Sequence, residues 1–178
     1  FTDLGILMVL IIILVFIVMA AQFESLVDPF VIMFSIPFAF TGIVLGLAVT
    51  QTPLGVMALI GVIMLMGIVV KNGIVLIDYT ILCRERGMGI ITSVVTAGKS
   101  RLRPVLMTTL TTVLGMIPMA VGTGEGSEMW RSMGMTVAWG LSVSTLITLI
   151  IVPTVYAVFA ANGVKRRRRK IRKALRNN

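Results

Sequence analysis

The chain has 178 residues, 57% of them hydrophobic, and its mean hydropathy is +1.04. These values exclude an ordinary soluble domain and indicate an integral membrane protein. The net charge of +9 does not indicate nucleic-acid binding, because nine of the sixteen basic residues lie in residues 165–176 and the other seven are balanced by seven acidic residues.

The apolar segments predict an all-α, polytopic membrane helix bundle. A hydrocarbon core of about 30 Å needs about 20 helical residues, and this length divides the chain into five spans. The first residue is Phe1, and no basic n-region or cleavage site of a signal peptide follows it, so we expect the chain to start within a longer polypeptide. The predicted transmembrane helices cover about residues 4–23, 29–49, 54–82, 104–121 and 132–160.

Three further segments complete the predicted organisation. Residues 50–53 form the turn between the second and third spans, because they combine polar residues with a proline. Residues 84–103 are polar and rich in glycine, which predicts a short cytoplasmic connecting segment with an interfacial helix. The bundle then comprises residues 1–161, and residues 162–178 form a basic cytoplasmic tail.

The distribution of basic residues predicts the orientation. Five lysines or arginines lie in residues 84–103 and nine in the tail, whereas the loop at residues 122–131 carries only Arg131. Since short loops rich in Lys and Arg stay in the cytoplasm, the C-terminus is predicted to be cytoplasmic and the N-terminus to be periplasmic.

Small residues and prolines within the spans predict close helix packing. Gly42 and Gly46 form a small-xxx-small pair in the second span, and Gly61, Gly67 and Gly73 recur along the third. Pro37 and Pro118 predict kinks whose freed carbonyls need neighbouring partners. These patterns favour a packed bundle over isolated spans.

Lys71 is the most informative single residue. It lies near the midpoint of the third predicted span, where an ammonium costs roughly 2.5–3.5 kcal/mol on insertion scales. Asp78 lies two turns further along the same helical face, about 10 Å away in rise, which is too far for a direct ion pair. Lys71 is therefore a candidate for a proton or ion pathway, with the neighbouring Asn72 as a supporting polar group.

Two groups in or beside the fourth predicted span are further polar candidates for this pathway. The spacing of Thr108, Thr111 and Thr112 places three hydroxyls on one helical face, and Arg101 lies near the cytoplasmic end. Both patterns also have simpler interpretations. Threonine hydroxyls in membrane helices often bond to their own preceding turn, and arginines near helix ends often extend to the interface.

Neither a disulfide framework nor a zinc site is expected. Cys83 is the only cysteine and there is no histidine, so the usual ligands of structural zinc are missing from the sequence. Cys83 is predicted to behave as a small apolar residue. We expect no metal, no cofactor and no enzymatic activity.

Four ordered motifs resemble one transporter family. They are AQFES at residues 21–25, GIVVKNGIVLID at 67–78, RLRPVLMTT at 101–109 and GEGSEM at 124–129. Together they resemble the last five membrane helices of resistance-nodulation-division efflux transporters. Their residue sequences are most similar to those of the hydrophobe/amphiphile efflux (acriflavine-resistance) branch. One departure is Ser132, where relatives commonly have proline, and we interpret it as a loop-side change at the entry to the fifth span.

The resemblance implies roles for residues and partners. Lys71, Thr108 and Arg101 would form a proton relay, acting with two adjacent aspartates from the other transmembrane repeat. Asp78, Thr111 and Thr112 are candidate supporting polar groups on the basis of their positions alone, and Asp78 could equally be an anchor at the membrane interface. The implied protein is a multidrug efflux pump of the bacterial inner membrane, driven by the proton-motive force. Its implied partners are the N-terminal half and periplasmic domains of the same subunit, two further copies in a homotrimer, a periplasmic adaptor, an outer-membrane channel and the lipid bilayer, with no nucleic acid.

Two alternatives stay open. The isolated chain could be an inactive or structural fragment, because the partner aspartates are not in it. The family also includes exporters of metal ions or lipids, and the thirteen methionines do not decide between substrates because flexible apolar packing accounts for them.

Overall fold

The computed structural model describes residues 2–176, and the side chains of residues 2–165, as a set of packed helices without strands. Five helical segments are long and apolar enough to cross a membrane, which confirms the predicted all-α class and the number of spans. The basic side chains of residues 166–178 lie outside this description. The helices are α1 (Thr2–Phe23), α2 (Val27–Met33), α3 (Ile36–Thr50), α4 (Val56–Glu85), α5 (Ile90–Val121) and α6 (Ser127–Arg176).

The second span is divided between α2 and α3. The helix stops at Phe34 and Ser35, immediately before Pro37 in the first turn of α3. Proline has no N–H and its ring clashes with the carbonyl four residues earlier, so a continuous helix is disfavoured at this point. The Ser35 hydroxyl donates to the Ile32 carbonyl at 2.6 Å, so a polar group exposed by the break is satisfied inside the core. The predicted irregularity at Pro37 is therefore a two-residue turn within one span, because Phe34 and Ser35 keep right-handed helical dihedrals.

The fourth span is longer than the sequence predicted. After α4 ends, Gly87 adopts a left-handed φ of +86°, which glycine allows at low cost, and α5 begins at Ile90. The helix continues through Pro104 to Val121. The helix therefore begins 14 residues before the predicted start of the span at residue 104, and residues 90–103 are continuous with it.

Helix α6 packs against α3, α4 and α5 and holds the bundle together. Glycines allow the close approach on α3: a Cβ added at Gly42 would lie 2.8 Å from the Cβ of Val143, and one added at Gly46 would overlap Trp139. On α4, a Cβ at Gly73 would lie 2.7 Å from Ile32. The small-residue packing predicted for these glycines is present.

Ser132 joins α6 to the turn between α3 and α4. It lies inside α6, is buried, and its hydroxyl donates to the Pro53 carbonyl at 3.0 Å. The interpretation of Ser132 as a loop-side residue was wrong, because α6 begins five residues earlier than the sequence pattern suggested. The Pro53 carbonyl also accepts a hydrogen bond from the Gly55 N–H at 2.9 Å, so the Ser132 hydroxyl is its second partner and the one that connects the turn to α6.

We expect Ser132→Ala to lower the stability of the protein by about 1 kcal/mol, since the Pro53 carbonyl would lose the hydrogen bond that connects it to α6 and keep only the one from the Gly55 N–H. A fall in the detergent melting temperature would report this change. Ser142→Ala is the matched control: Ser142 is a half-buried serine on the same helix that bonds only to its own helix, at Ala138. Equal effects of the two substitutions would mean that the link to Pro53 contributes nothing.

Candidate functional site

One narrow stripe of α4 is exposed, while most other positions along the helix are buried or half-buried. The exposed positions recur at intervals of seven and four residues, which keeps them on one side of a helix with 3.6 residues per turn. Lys71 lies in the middle of this stripe. We call these residues the α4 stripe: Ile60, Gly67, Lys71, Asp78 and Leu82.

Gly67 belongs to the α4 stripe and not to the packing glycines. An added Cβ there would meet nothing within 4 Å, unlike those at Gly42, Gly46 and Gly73. The packing role predicted for Gly67 is thus not fulfilled within the described residues. One turn from Lys71, the missing side chain leaves a shallow surface that a further helix could approach closely.

Asn72 lies on the buried part of the α4 surface. It follows Lys71 directly, but its side chain is only 8% exposed and faces the interior of the bundle. The structure separates the two residues, since consecutive positions on a helix point about 100° apart. Asn72 is thus placed among the packed helices and Lys71 on the open stripe.

The predicted threonine cluster on α5 bonds to its own helix. Thr108, Thr111 and Thr112 donate to the carbonyls of Pro104, Met107 and Thr108 at 3.0, 2.8 and 2.9 Å. Thr108 and Thr111 are exposed and Thr112 is half-buried. Each hydroxyl oxygen keeps acceptor capacity, so a proton donor or water approaching the open face of α5 could still bond to it.

A buried hydroxyl pair was missed by the sequence analysis. The hydroxyls of Thr109 on α5 and Thr145 on α6 lie 3.1 Å apart, and both residues are buried. The four threonines at 108, 109, 111 and 112 cover more than one face, and spacing alone does not reveal which face meets α6. The pair joins the two longest helices inside the bundle.

Arg101 is held against α4 by an aromatic ring. Its guanidinium carbon lies 4.7 Å from the centroid of the Tyr79 ring, which is a cation–π geometry. The side chain is half-buried, and its Nε atom is buried without a hydrogen-bond partner in the described part of the chain. Arg101 therefore lies beside Tyr79, the residue that follows Asp78 on α4.

Removing the aromatic ring should release Arg101. If Arg101 takes part in transport, Tyr79→Leu should lower the transport rate several-fold, because the lost cation–π contact is worth about 0.5–2 kcal/mol. Tyr79→Phe should keep most of the rate, because the contact needs only the aromatic ring. Initial export rates at equal protein levels would measure this. Loss of activity in the phenylalanine variant would assign the effect to the hydroxyl and contradict the contact's role.

Cys83 is buried and unpaired, as predicted for a small apolar residue. Among the described residues no group of three or more His, Cys, Asp or Glu side chains converges as a metal site would require. The candidate site thus has three parts: the α4 stripe, the open face of α5 and the Arg101–Tyr79 contact.

Comparisons with known proteins agree on one family. The model of the AcrB/AcrD/AcrF family matches residues 2–160. The swarming motility protein SwrC of Bacillus subtilis is 43% identical over 161 residues, which are 90% of this chain and 15% of that protein. The multidrug resistance protein MdtC of Erwinia tasmaniensis is 38% identical over 143 residues, covering 80% of this chain and 14% of its own length.

Two further matches carry names that refer to metals. The cobalt-zinc-cadmium resistance protein CzcA of Cupriavidus metallidurans is 37% identical over 143 residues, or 80% of this chain and 14% of that protein. A crystal structure of a heavy metal efflux pump superposes with a TM-score of 0.80 at 29% identity, covering 88% of this chain and 15% of that one. The chain thus spans about 15% of the length of these relatives.

Proposed function

Because the chain belongs to the AcrB/AcrD/AcrF family of resistance-nodulation-division transporters, we propose that it supplies five transmembrane helices of a proton-driven efflux subunit. In that subunit it acts as a secondary transporter and not as an enzyme. Export and its coupling to protons are activities of the whole protein, and family membership alone does not establish them for this chain.

The single observation that carries the proposal is the position of Lys71. Its ammonium lies near the midpoint of a 30-residue spanning helix and on the stripe that the other described helices leave uncovered. A charge facing lipid at that depth would be costly, so it needs a polar protein surface opposite. The absence of a side chain at Gly67 allows such a surface to come close.

We propose that carboxylates from the rest of the subunit cover the α4 stripe. An ionised carboxylate beside Lys71 favours the charged ammonium, and protonation of the carboxylate removes that attraction. The helices that carry the two groups would then separate or shift. Proton entry is in this way converted into movement between the two halves of the membrane region.

Thr108 and Arg101 are proposed to extend this pathway along α5. The Thr108 hydroxyl can accept a further hydrogen bond on the open face of the helix, and Arg101, two turns earlier on α5, lies against the Tyr79 ring of α4. Asp78 on the α4 stripe, together with Thr111 and Thr112, would supply further polar groups for water. Asn72, in contrast, is proposed to stabilise the packed interior.

The favoured substrate class is hydrophobic compounds, as in the multidrug branch that the motifs resemble. Metal ions are the second candidate, favoured by the 37% identity to CzcA and by the superposition on a heavy metal efflux pump. Selectivity is proposed to reside outside these five helices. A homotrimer in the inner membrane, with an adaptor, an outer-membrane channel and the C-terminus in the cytoplasm, completes the proposal.

Transport by the whole gene product in proteoliposomes tests the proposal. An imposed pH gradient should drive movement of a hydrophobic cationic dye, and a protonophore should abolish it. Zn²⁺ movement under the same gradient, without dye movement, would favour the metal candidate. Transport that is unchanged when the gradient is dissipated would contradict proton coupling. The 178-residue chain alone should transport neither, because the carboxylates opposite Lys71 are missing.

A further inference from the structure

A cleft lined by both apolar and charged residues lies at the end of the bundle where α1 stops and α2 begins. Its volume is about 620 Å³, within the usual range for small-molecule sites. The carboxyl-terminal end of α4 and the distal part of α6 form its other walls. Both apolar and charged side chains line it, among them Phe23, Val27, Asp28, Arg84, Glu85 and Phe159.

Arg84 provides a positioned positive charge in the cleft. It is half-buried, and its Nη1 donates to the hydroxyl of Tyr156 at 3.1 Å, while Tyr156 itself is buried in α6. A guanidinium has five N–H donors, so one bond to Tyr156 orients the group and leaves others for an anion. Planar donors of this kind suit a phosphate group.

Two carboxylates line the same cleft. Asp28 is half-buried at the start of α2, and Glu85 is exposed at the end of α4. The Ser25 hydroxyl accepts a hydrogen bond from the backbone N–H of Val27 at 3.3 Å, which orders the turn. The cleft is therefore lined by one basic and two acidic side chains, which is complementary to a ligand that carries both charges.

The apolar part of the cleft is suited to acyl chains. Phe159 remains 44% exposed and packs edge-on against Phe30 with the ring centroids 6.4 Å apart. Phe23 is the last residue of α1, which carries no charge after Asp3. A helix of this length and composition is expected to cross the hydrocarbon core, so we expect the charged groups that follow Phe23 to lie near the lipid headgroups.

We propose that this cleft binds a phospholipid with a zwitterionic, primary-amine headgroup, namely phosphatidylethanolamine. The phosphate would bond to Arg84, the ammonium would donate to Asp28 and Glu85, and an acyl chain would cover Phe23 and Phe159. Phosphatidylglycerol would leave both carboxylates without a cation, and the quaternary amine of phosphatidylcholine has no N–H to donate. The site uses none of the residues assigned to the proton pathway.

Competitive lipid binding tests this assignment. The whole gene product would be delipidated and mixed with equal amounts of phosphatidylethanolamine, phosphatidylglycerol and phosphatidylcholine of identical acyl chains, and the retained lipids would be counted by native mass spectrometry. We expect preferential retention of phosphatidylethanolamine. Asp28→Asn, Glu85→Gln and Arg84→Gln should each lower this retention about tenfold, as expected for loss of a charge-assisted hydrogen bond.

Neighbouring charges outside the cleft provide matched controls. Glu24→Gln and Arg86→Gln change exposed residues that do not line it, and both should retain the lipid as the wild type does. Because Arg84→Gln also removes the bond to Tyr156, Glu85→Gln serves as the variant without a structural effect, verified by an unchanged melting temperature. Equal retention of the three lipids by the wild type, or equal losses in the control variants, would overturn the proposal.

Discussion

Replacing Lys71 with alanine is expected to abolish proton-coupled export while leaving the protein folded and able to bind substrate. The ammonium lies on an exposed stripe of α4, so its removal opens no cavity in the described core. If Lys71 is essential to proton transfer, the transport rate should fall by about two orders of magnitude or more, as for loss of a positioned acid–base group. Initial rates in proteoliposomes under an imposed pH gradient would measure the loss.

Two further substitutions test whether a positive charge at position 71 is by itself enough for proton-coupled export. Lys71→Arg keeps a positive charge, but a guanidinium stays protonated and is larger, so it should also fail to restore export. Lys99→Ala removes an exposed lysine of α5 outside the α4 stripe and should leave the rate nearly unchanged. Undiminished proton-driven export by Lys71→Ala would remove this residue from the mechanism.

Gly46→Ala is expected to destabilise the bundle by about 1–3 kcal/mol, the usual cost of overpacking a core. An added Cβ would overlap the Cβ of Trp139, which is fixed to the backbone of α6 and cannot turn away as the end of a flexible side chain could. Helices α3 and α6 would have to separate. Thermal unfolding in detergent, followed by loss of monodisperse protein, would measure the change.

Gly98→Ala is the matched control for this effect. An alanine Cβ there would meet nothing within 4 Å, and alanine favours a helix over glycine by about 1 kcal/mol, so stability should stay equal or rise. The two substitutions are chemically identical but opposite in expected sign. A stable Gly46→Ala protein would show that the α3–α6 contact is looser than the structure indicates.

The number of spans could be predicted because it follows from large transfer energies, and the same energies make Lys71 the leading candidate residue. Apolar segments of about 20 residues have few alternatives to crossing the bilayer, and a lone charge inside one is conspicuous. The start of α5 could not be placed in this way. Residues 90–103 are helical but amphipathic, so hydropathy alone assigns them to a separate connecting segment.

The spacing of residues along the sequence does not show which neighbouring helix a side chain faces, because this depends on how the helices pack. Gly67 and Gly73 look equivalent in sequence, yet Gly73 contacts Ile32 and Gly67 is open. Thr109 differs from Thr108 by one position, and only Thr109 faces Thr145. The Ser132–Pro53 bond joins residues 79 apart in sequence, and no local pattern predicts such a contact.

The distance between Lys71 Nζ and the nearest carboxylate oxygen, in an experimental structure of the whole gene product at a pH where carboxylates are ionised, tests the central claim most directly. The account predicts that an acidic side chain from outside these five helices covers the α4 stripe and lies within about 4 Å of the ammonium, the limit of an ion pair. An ammonium that faces lipid, or one without a carboxylate in reach, would contradict the proposed coupling of protons to export.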